Sequence, residues 1–346
     1  MSLSDEIKSK ALELGFDLVG ITDASQIGSE QIKALRTWLE SGFAGQMDYM
    51  HRNFEKRINP SKLLDNAQSV IVVGLNYHRA EKVRCNRTLH GRIASYACYE
   101  DYHTFIKKRL RELADFIVTN NAQNEKWIPA SAEMTERGTN KRVTSHESRA
   151  TAKICVDSVP LAERTLAVKA GLGFVGKNHI LINPELGGRI FLGEIITNIK
   201  LEYDEPIAEG RLRCIAPFKS AQCLSCDKCI KACPTGALRK DGLFDASKCI
   251  NYLTIEYKGE IPIELASNIG NKLFGCEDCI NICPYQKNAP ACKNKQFKYY
   301  PDRAQINPED VLQLNEKTFH ELFHDSPIQR AGLGMLKRNA GICLGR

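Results

Sequence analysis

Eight cysteines crowded between residues 223 and 283 constrain this chain more than any other feature. They form two runs, Cys223-x2-Cys226-x2-Cys229-x3-Cys233-Pro234, and Cys249 followed by Cys276-x2-Cys279-x3-Cys283-Pro284. The first run, closing on proline, has the spacing of thiolates that hold iron–sulfur clusters, with the fourth thiolate serving the other cluster of a pair. The spacing therefore predicts a crossed ligand set. Cys223, Cys226, Cys229 and Cys283 hold one 4Fe–4S cluster, and Cys233, Cys249, Cys276 and Cys279 hold the other. Each proline stops the local turn and leads the chain away. Zinc is the competing reading, but it usually takes two separated CxxC pairs, which three closely stepped cysteines do not resemble. Crossing brings two clusters close together, so the chain is expected to move single electrons.

The chain has 346 residues, enough for two or three domains of about 150 residues each. A sizeable core is available, so the cysteines are not needed as staples. The six others (Cys85, Cys98, Cys155, Cys214, Cys292, Cys343) are scattered and read as free thiols. No apolar run reaches the roughly 18 residues that a membrane helix needs. The N-terminal residues lack a basic stretch followed by an apolar one, so no secretory signal is expected. With reduced cysteines this predicts a cytoplasmic location. A net charge of +7 and a pI near 8.7 permit an anionic partner without demanding one.

The periodicity predicts helices over 5–14, 28–41, 101–119 and 160–171, and strands over 16–22, 69–75, 153–157, 179–183 and 189–197. Alternating strands and helices up to about residue 200 imply α/β or α+β architecture. Residues 122–151 are polar, poor in aliphatics and follow neither period, so they read as a surface insertion. A cysteine-rich part follows from about 213, and then a basic, helical tail over 296–346.

Three constellations have two readings each. Gly171-x-Gly173-x-x-Gly176 matches a dinucleotide fingerprint, but its glycines follow a helix and lead into a strand, the reverse of what that site requires. A helix C-cap plus a tight turn explains them. Asp101-x-His103 begins a cobalamin pattern D-x-H-x-x-G that fails at Ile106, so His103 is not assigned as a cobalt ligand; a polar helix start is the simpler reading. Asp157 ends an apolar strand. It is either a helix N-cap or a proton donor whose pKa an apolar site raises.

The stretches GFDLVGITDA (15–24), GFAGQMDYMHRNFEKRINPSKLL (42–64), SYACYEDYH (95–103), VDSVPLAERTLAVKAGLGFVGKN (156–178) and LGEIITN (192–198) together resemble the epoxyqueuosine reductase family. CLSCDKCIKACPTGAL (223–238), CINYLTIEYKG (249–259), GCEDCINICP (275–284) and SPIQRAGLGMLKRNA (326–340) continue the likeness. The resemblance implies an α+β fold: a nitroreductase-like cobalamin-binding domain over 1–212, a bacterial two-cluster ferredoxin-like domain over 213–295, and a truncated, tRNA-contacting helical segment over 296–346. It implies reduction of epoxyqueuosine to queuosine at the wobble position of tRNA. Base-off cobalamin, reduced to Co(I) by a neighbouring 4Fe–4S cluster, attacks the epoxide, and the oxygen leaves as water. It places the proton donor on Asp157. Cobalamin contacts fall on Arg57, Asp157, Leu181, Asn183, Leu192, Asn251, Glu277 and Asp278, and tRNA contacts on Arg164 and Lys258. The basic residues Lys293, Lys295, Lys298, Arg303, Arg330, Lys337 and Arg338 are expected to supply phosphate contacts. An external donor such as a flavodoxin or ferredoxin and a monomeric state are also implied.

Two features depart from the family pattern, the 122–151 insertion and a C-terminal segment shorter than that of many relatives. Two other functions fit parts of the sequence. A cobalamin–iron–sulfur reductive dehalogenase acting on a small molecule would need no tRNA, and usually carries an export signal. A non-enzymatic ferredoxin-type carrier would leave some 210 patterned residues before the clusters without a role.

Overall fold

The sheet at the centre of the fold is dictated by the run Ser69–Asn76. It has no polar side to offer water, and all eight residues are buried. The computed structural model describes residues 2–79, 90–124, 150–206 and 223–346. Nine short strands occur among them: β1 Leu18–Asp23, β2 Ser69–Asn76, β3 Gly91–Ile93, β4 Ala152–Cys155, β5 Phe174–Val175, β6 Leu181–Ile182, β7 Ile190–Thr197, β8 Lys272–Phe274 and β9 Gln305–Ile306. The main sheet runs β1-β2-β7-β4, with every pairing antiparallel.

Side chains alternate between the two faces of a strand, and both faces of this sheet are covered. Ile71, Val73, Leu75 and Ile195 pack against Ile7 and Ala11 of the helix Leu3–Glu13 and against Phe105, Leu110, Leu113 and Ile117 of the helix Tyr102–Asn124. Val70, Val72, Cys155 and Ile196 pack on the opposite face against Leu161, Leu166, Ala167 and Ala170, around the helix Glu163–Lys169. Two-sided cover is why an antiparallel strand carries a continuous apolar run. Glu194 lies opposite Val72 and Cys155 in the register, on the face of the helix Glu163–Lys169.

The structure revises several predicted boundaries. The helix expected over 160–171 spans only Glu163–Lys169, because Ala162 (φ −85°, ψ 61°) still lies outside helical geometry. Asp157 therefore caps no helix. Within 179–183 only Leu181–Ile182 is extended, and it pairs with β5 and not with β7. A tight turn in which Asn183 and Gly187 exchange backbone hydrogen bonds redirects the chain between β6 and β7. Gly171 (φ +76°) ends the helix in the left-handed region. A side chain at Gly173 would start 2.4 Å from the Ile182 carbonyl oxygen. The glycine pattern is thus a helix end and a tight turn.

A second sheet, β8-β3-β9, joins distant parts of the chain, since β3 precedes the long helix, β8 lies among the cysteines and β9 belongs to the tail. Around it Ile93, Ala97, Leu273, Phe274, Val311, Phe319, Phe323, Ile328 and Leu336 form a separate core. The expected insertion falls almost wholly on residues 125–149, outside the described residues, as do Cys85, Cys214 and the expected boundary at 212. Among the described residues no helix is long and apolar enough to cross a membrane.

Candidate active site

Asp157 sits just beyond β4, and at φ +53° it occupies the left-handed region that Asp tolerates better than most residues. Its backbone N–H donates to Glu163 Oε1 at 2.7 Å. Its carboxylate meets the buried His103, with Oδ2 2.8 Å from Nε2. The other ring nitrogen, Nδ1, lies 2.8 Å from Asp101 Oδ1. A doubly protonated ring donates to both carboxylates. Arg330 closes the group from the tail. Its Nη2 donates to Asp101 Oδ2 at 2.6 Å, and its Nη1 lies against the imidazole, 2.7 and 2.9 Å from the two ring nitrogens.

Desolvation pushes the Asp157 pKa up, but the hydrogen bond and charge of His103, with Arg330 and Tyr102, outweigh it and hold the carboxyl below its usual range. The raised pKa expected from an apolar site is therefore not found, since the site supplies a cation and donors instead. For His103, burial pushes the pKa down, and hydrogen bonds to Asp101 and Asp157 outweigh it and raise the net value. The proton of this set therefore rests on His103. Glu163 behaves oppositely: burial and then the charge of Asp157 push its carboxyl up to about 7. Arg330 lowers the pKa of both His103 and Asp157. Arg330→Met is accordingly expected to move the acid limb of the activity profile to higher pH. An unmoved profile would remove Arg330 from the charge balance of the site.

A cavity of about 990 Å³ opens in front of Asp157. Its walls include Arg57, Asp157, Glu163, Arg164, Asn251, Asp278 and Arg330, with apolar Leu35, Trp38, Met47 and Met50. The helix Ser29–Glu40 supplies Leu35 and Trp38, so its apolar face lines a cavity more than a core. Cys233, Cys249, Cys276 and Cys279 reach the same space. The other quartet, Cys223, Cys226, Cys229 and Cys283, lines a small separate cavity of about 50 Å³ beside Lys177 and Asn178. None of the eight is joined in a disulfide. Burial, then the charge of Asp278, pushes Cys276 up to about 12, and burial with neighbouring thiols pushes Cys279 higher still, so thiolates there need a cation to compensate them.

Other predicted site residues fall in different places. Arg57 donates to the Tyr49 carbonyl at 3.3 Å, and its buried Nε has no hydrogen-bond partner among the described residues. Asn251 Oδ1 accepts from the Cys276 N–H at 2.5 Å, and Asp278 pairs with Lys272 at 3.1 Å. Leu181, Asn183, Leu192 and Glu277 are not among the lining residues. Leu181 and Leu192 pack in the core beneath. Asn183 is tied to the Leu172 carbonyl and to the backbone N–H groups of Glu185 and Leu186. Glu277 is buried in a pair with Arg189 at 3.3 Å and accepts from Ser95. Removing one partner of such a buried pair strands the other charge, so Arg189→Met is expected to cost about 3–5 kcal/mol. Unfolding of the metal-loaded protein checks this; a loss below about 1 kcal/mol would class the pair with exposed ones.

Arg164 is exposed and donates to the His179 carbonyl, and Lys258 is exposed. Lys293, Lys295 and Lys298 are also exposed. Three arginines expected to meet phosphates are engaged within the protein. Arg303 is buried and paired with Asp325, Arg338 donates to the carbonyls of Leu253, Tyr257 and Gly259, and Arg330 belongs to the Asp157 site. His103, Asp101, Arg330 and Glu163 escaped the sequence reading as partners of Asp157. An acidic residue, Glu194, within the apolar run of β7 was the one local signal available.

Known proteins match this chain over nearly its whole length. A family model described as a 4Fe-4S double cluster binding domain matches residues 222–286, and one described as epoxyqueuosine reductase QueG matches residues 57–158. The epoxyqueuosine reductase of Vibrio cholerae is 33% identical, covering 99% of this chain and 83% of its own. That of Escherichia coli is 33% identical over 99% of this chain and 81% of its own. The solved epoxyqueuosine reductase of Streptococcus thermophilus superposes with a TM-score of 0.79 at 28% identity, covering 99% of this chain and 81% of its own. An epoxyqueuosine reductase solved with an epoxyqueuosine-modified tRNA-Tyr stem loop gives a TM-score of 0.81 at 28% identity over 99% and 80% of the two chains.

Proposed function

This chain belongs to the epoxyqueuosine reductase family, and we infer that it reduces epoxyqueuosine to queuosine in tRNA at the cavity in front of Asp157. The observation that carries this reading is that one cavity joins a proton-bearing set, Asp157 with His103, to a cysteine quartet. Two 4Fe–4S clusters are proposed for the two quartets in the crossed arrangement, Cys223, Cys226, Cys229 and Cys283 holding one and Cys233, Cys249, Cys276 and Cys279 the other, in the span matched by the double-cluster family model. The second quartet is the one beside the cavity.

Base-off cobalamin is the cofactor proposed for the cavity, with residues 1–212 as its nitroreductase-like domain. The space is large, partly apolar and bordered by an Arg57 Nε that has no partner among the described residues, which suits a corrin with amide side chains. Arg57, Asn251 and Asp278 are the residues placed to hold it. When bound and fully reduced, such a group supplies the nucleophile for an epoxide carbon. The chain's own residues manage the proton. Asp157 has a side chain 56% exposed in the open cavity. A ligand filling the cavity removes that water, which raises the carboxyl's pKa. Asp157 then takes the His103 proton from Nε2 through Oδ2 and passes it to the epoxide oxygen.

A base in an anticodon loop must be splayed out to enter a pocket. Arg164 and Lys258 are proposed to meet the RNA, with Lys293, Lys295, Lys298 and Lys337 supplying phosphate contacts at longer range. A flavodoxin or ferredoxin is proposed as electron donor, and a cytoplasmic monomer as the working form. The test compares a tRNA stem loop carrying epoxyqueuosine with the free nucleoside. A strong preference for the stem loop, reduced in Lys258→Ala, supports an RNA substrate. Equal use of both would favour a small-molecule reductase.

A further inference from the structure

Opening an epoxide to an alkene breaks both C–O bonds, forms one π bond and releases the oxygen as water. It consumes two electrons and two protons. The electrons come singly from the external donor through the clusters. The Asp157–His103 set accounts for one proton, and the source of the other is a separate question. Glu194 lies on β7 with no exposed surface, and neither carboxylate oxygen has a hydrogen-bond partner among the described residues. It shares the sheet face on which the helix beginning at Glu163 packs. Glu163 lines the cavity and accepts the N–H of Asp157.

We propose that Glu163 and Glu194 form a proton-holding carboxyl pair that supplies, through Glu163, the second proton of the reaction. This rests on the reading of the cavity as the epoxide-reducing site. Two carboxylates held together in a dry place cannot both ionise readily. Burial first, then the charges of Glu163 and Asp157, raise the Glu194 pKa well above the usual carboxylate range. The other charged or titratable groups facing the pair are Asp157 and His103, Arg164 beside Glu163, Arg57 and Tyr102 across the cavity, and Cys155 on β4. Glu163 gives its proton toward the oxygen leaving in the cavity and Glu194 passes its own to the emptied Glu163; when product leaves, one proton from water entering the cavity returns through Glu163, the member of the pair that lines it, to Glu194.

Glu163→Gln tests this cleanly. The amide oxygen still accepts the Asp157 N–H, so the backbone stays placed, but the proton is gone. Single-turnover oxygen loss is expected to slow about 10²-fold or more, the usual worth of a general acid. The fall in rate as pH rises through about 7 in the unmodified enzyme should disappear. Glu194→Gln should keep the first turnover and slow later ones. Glu163→Gln running at the full rate across the pH range would overturn the proposal.

A second readout needs no activity. A Glu carboxyl raised from 4.5 stabilises the fold fully below that value, and the contribution is lost as pH rises through about 7. That slope should vanish in Glu163→Gln. Infrared difference spectra at neutral pH should show a protonated carboxyl band that Glu194→Gln removes. Its absence from the unmodified protein would overturn the pair. An unmodified enzyme that does not convert the RNA would refute the substrate reading, while the infrared comparison still decides the carboxyl pair.

Discussion

Asp157→Asn is expected to lower turnover by about 10²–10⁴-fold, the range for a lost general acid, while cofactor content and RNA binding are retained. Asn tolerates the left-handed backbone as Asp does, so φ +53° at this position remains accessible. Its carboxamide oxygen still accepts from His103 Nε2, now 2.8 Å from Asp157 Oδ2, and its N–H still reaches Glu163. The substitution therefore removes the site's ability to pass a proton and little else. Iron content, corrin spectrum and RNA affinity equal to those of the unmodified enzyme, with turnover lost, are the expected result. Full activity in the variant would move the proton donor elsewhere, to His103 or Glu163.

Cys279→Ala is expected to abolish turnover and to halve the iron of a protein that otherwise holds about eight irons in two 4Fe–4S clusters. Its quartet borders the cavity, so its loss interrupts electron delivery where the chemistry occurs. The crossed ligand set makes a sharper claim. Cys226→Ala and Cys283→Ala, far apart in sequence, should erase the same cluster in electron paramagnetic resonance, because both line the small cavity. Cys233→Ala should erase the other cluster, although Cys233 neighbours Cys229 in the first run. If Cys226 and Cys233 variants lost the same cluster, ligation would follow the runs and not cross between them.

Local patterns were readable in this chain where a single segment carries the whole cause. The apolar run at 69–75 announced a buried strand, and the cysteine spacing announced two clusters, because both depend on neighbours a few residues apart. Asp157 was visible as one of two alternatives. Its environment was not, since the groups that set it come from residues 101–103, 163, 194 and 330, brought together only by the packing of helices on the sheet. His103 shows why. Its helix-start role is real, for Asp101 Oδ1 accepts the His103 N–H at 2.9 Å, yet the ring's other engagement depends on a loop 54 residues later. The tail arginines misled for the same reason. A basic run suggests a surface for phosphate, but Arg303, Arg330 and Arg338 satisfy carboxylates and carbonyls of distant segments. Glu194 could have been found. In β7 it falls at a face position between Leu192 and Ile196, where a buried carboxyl calls for an explanation.

Epoxide reduction at this cavity is tested most directly by mass spectrometry of nucleosides from tRNA carrying epoxyqueuosine, incubated anaerobically with protein reconstituted with iron, sulfide and cobalamin and then reduced. Conversion to a nucleoside lighter by one oxygen, dependent on cobalamin and lost in Asp157→Asn, is the expected result. Unchanged epoxyqueuosine from protein that holds both clusters and the corrin would contradict it.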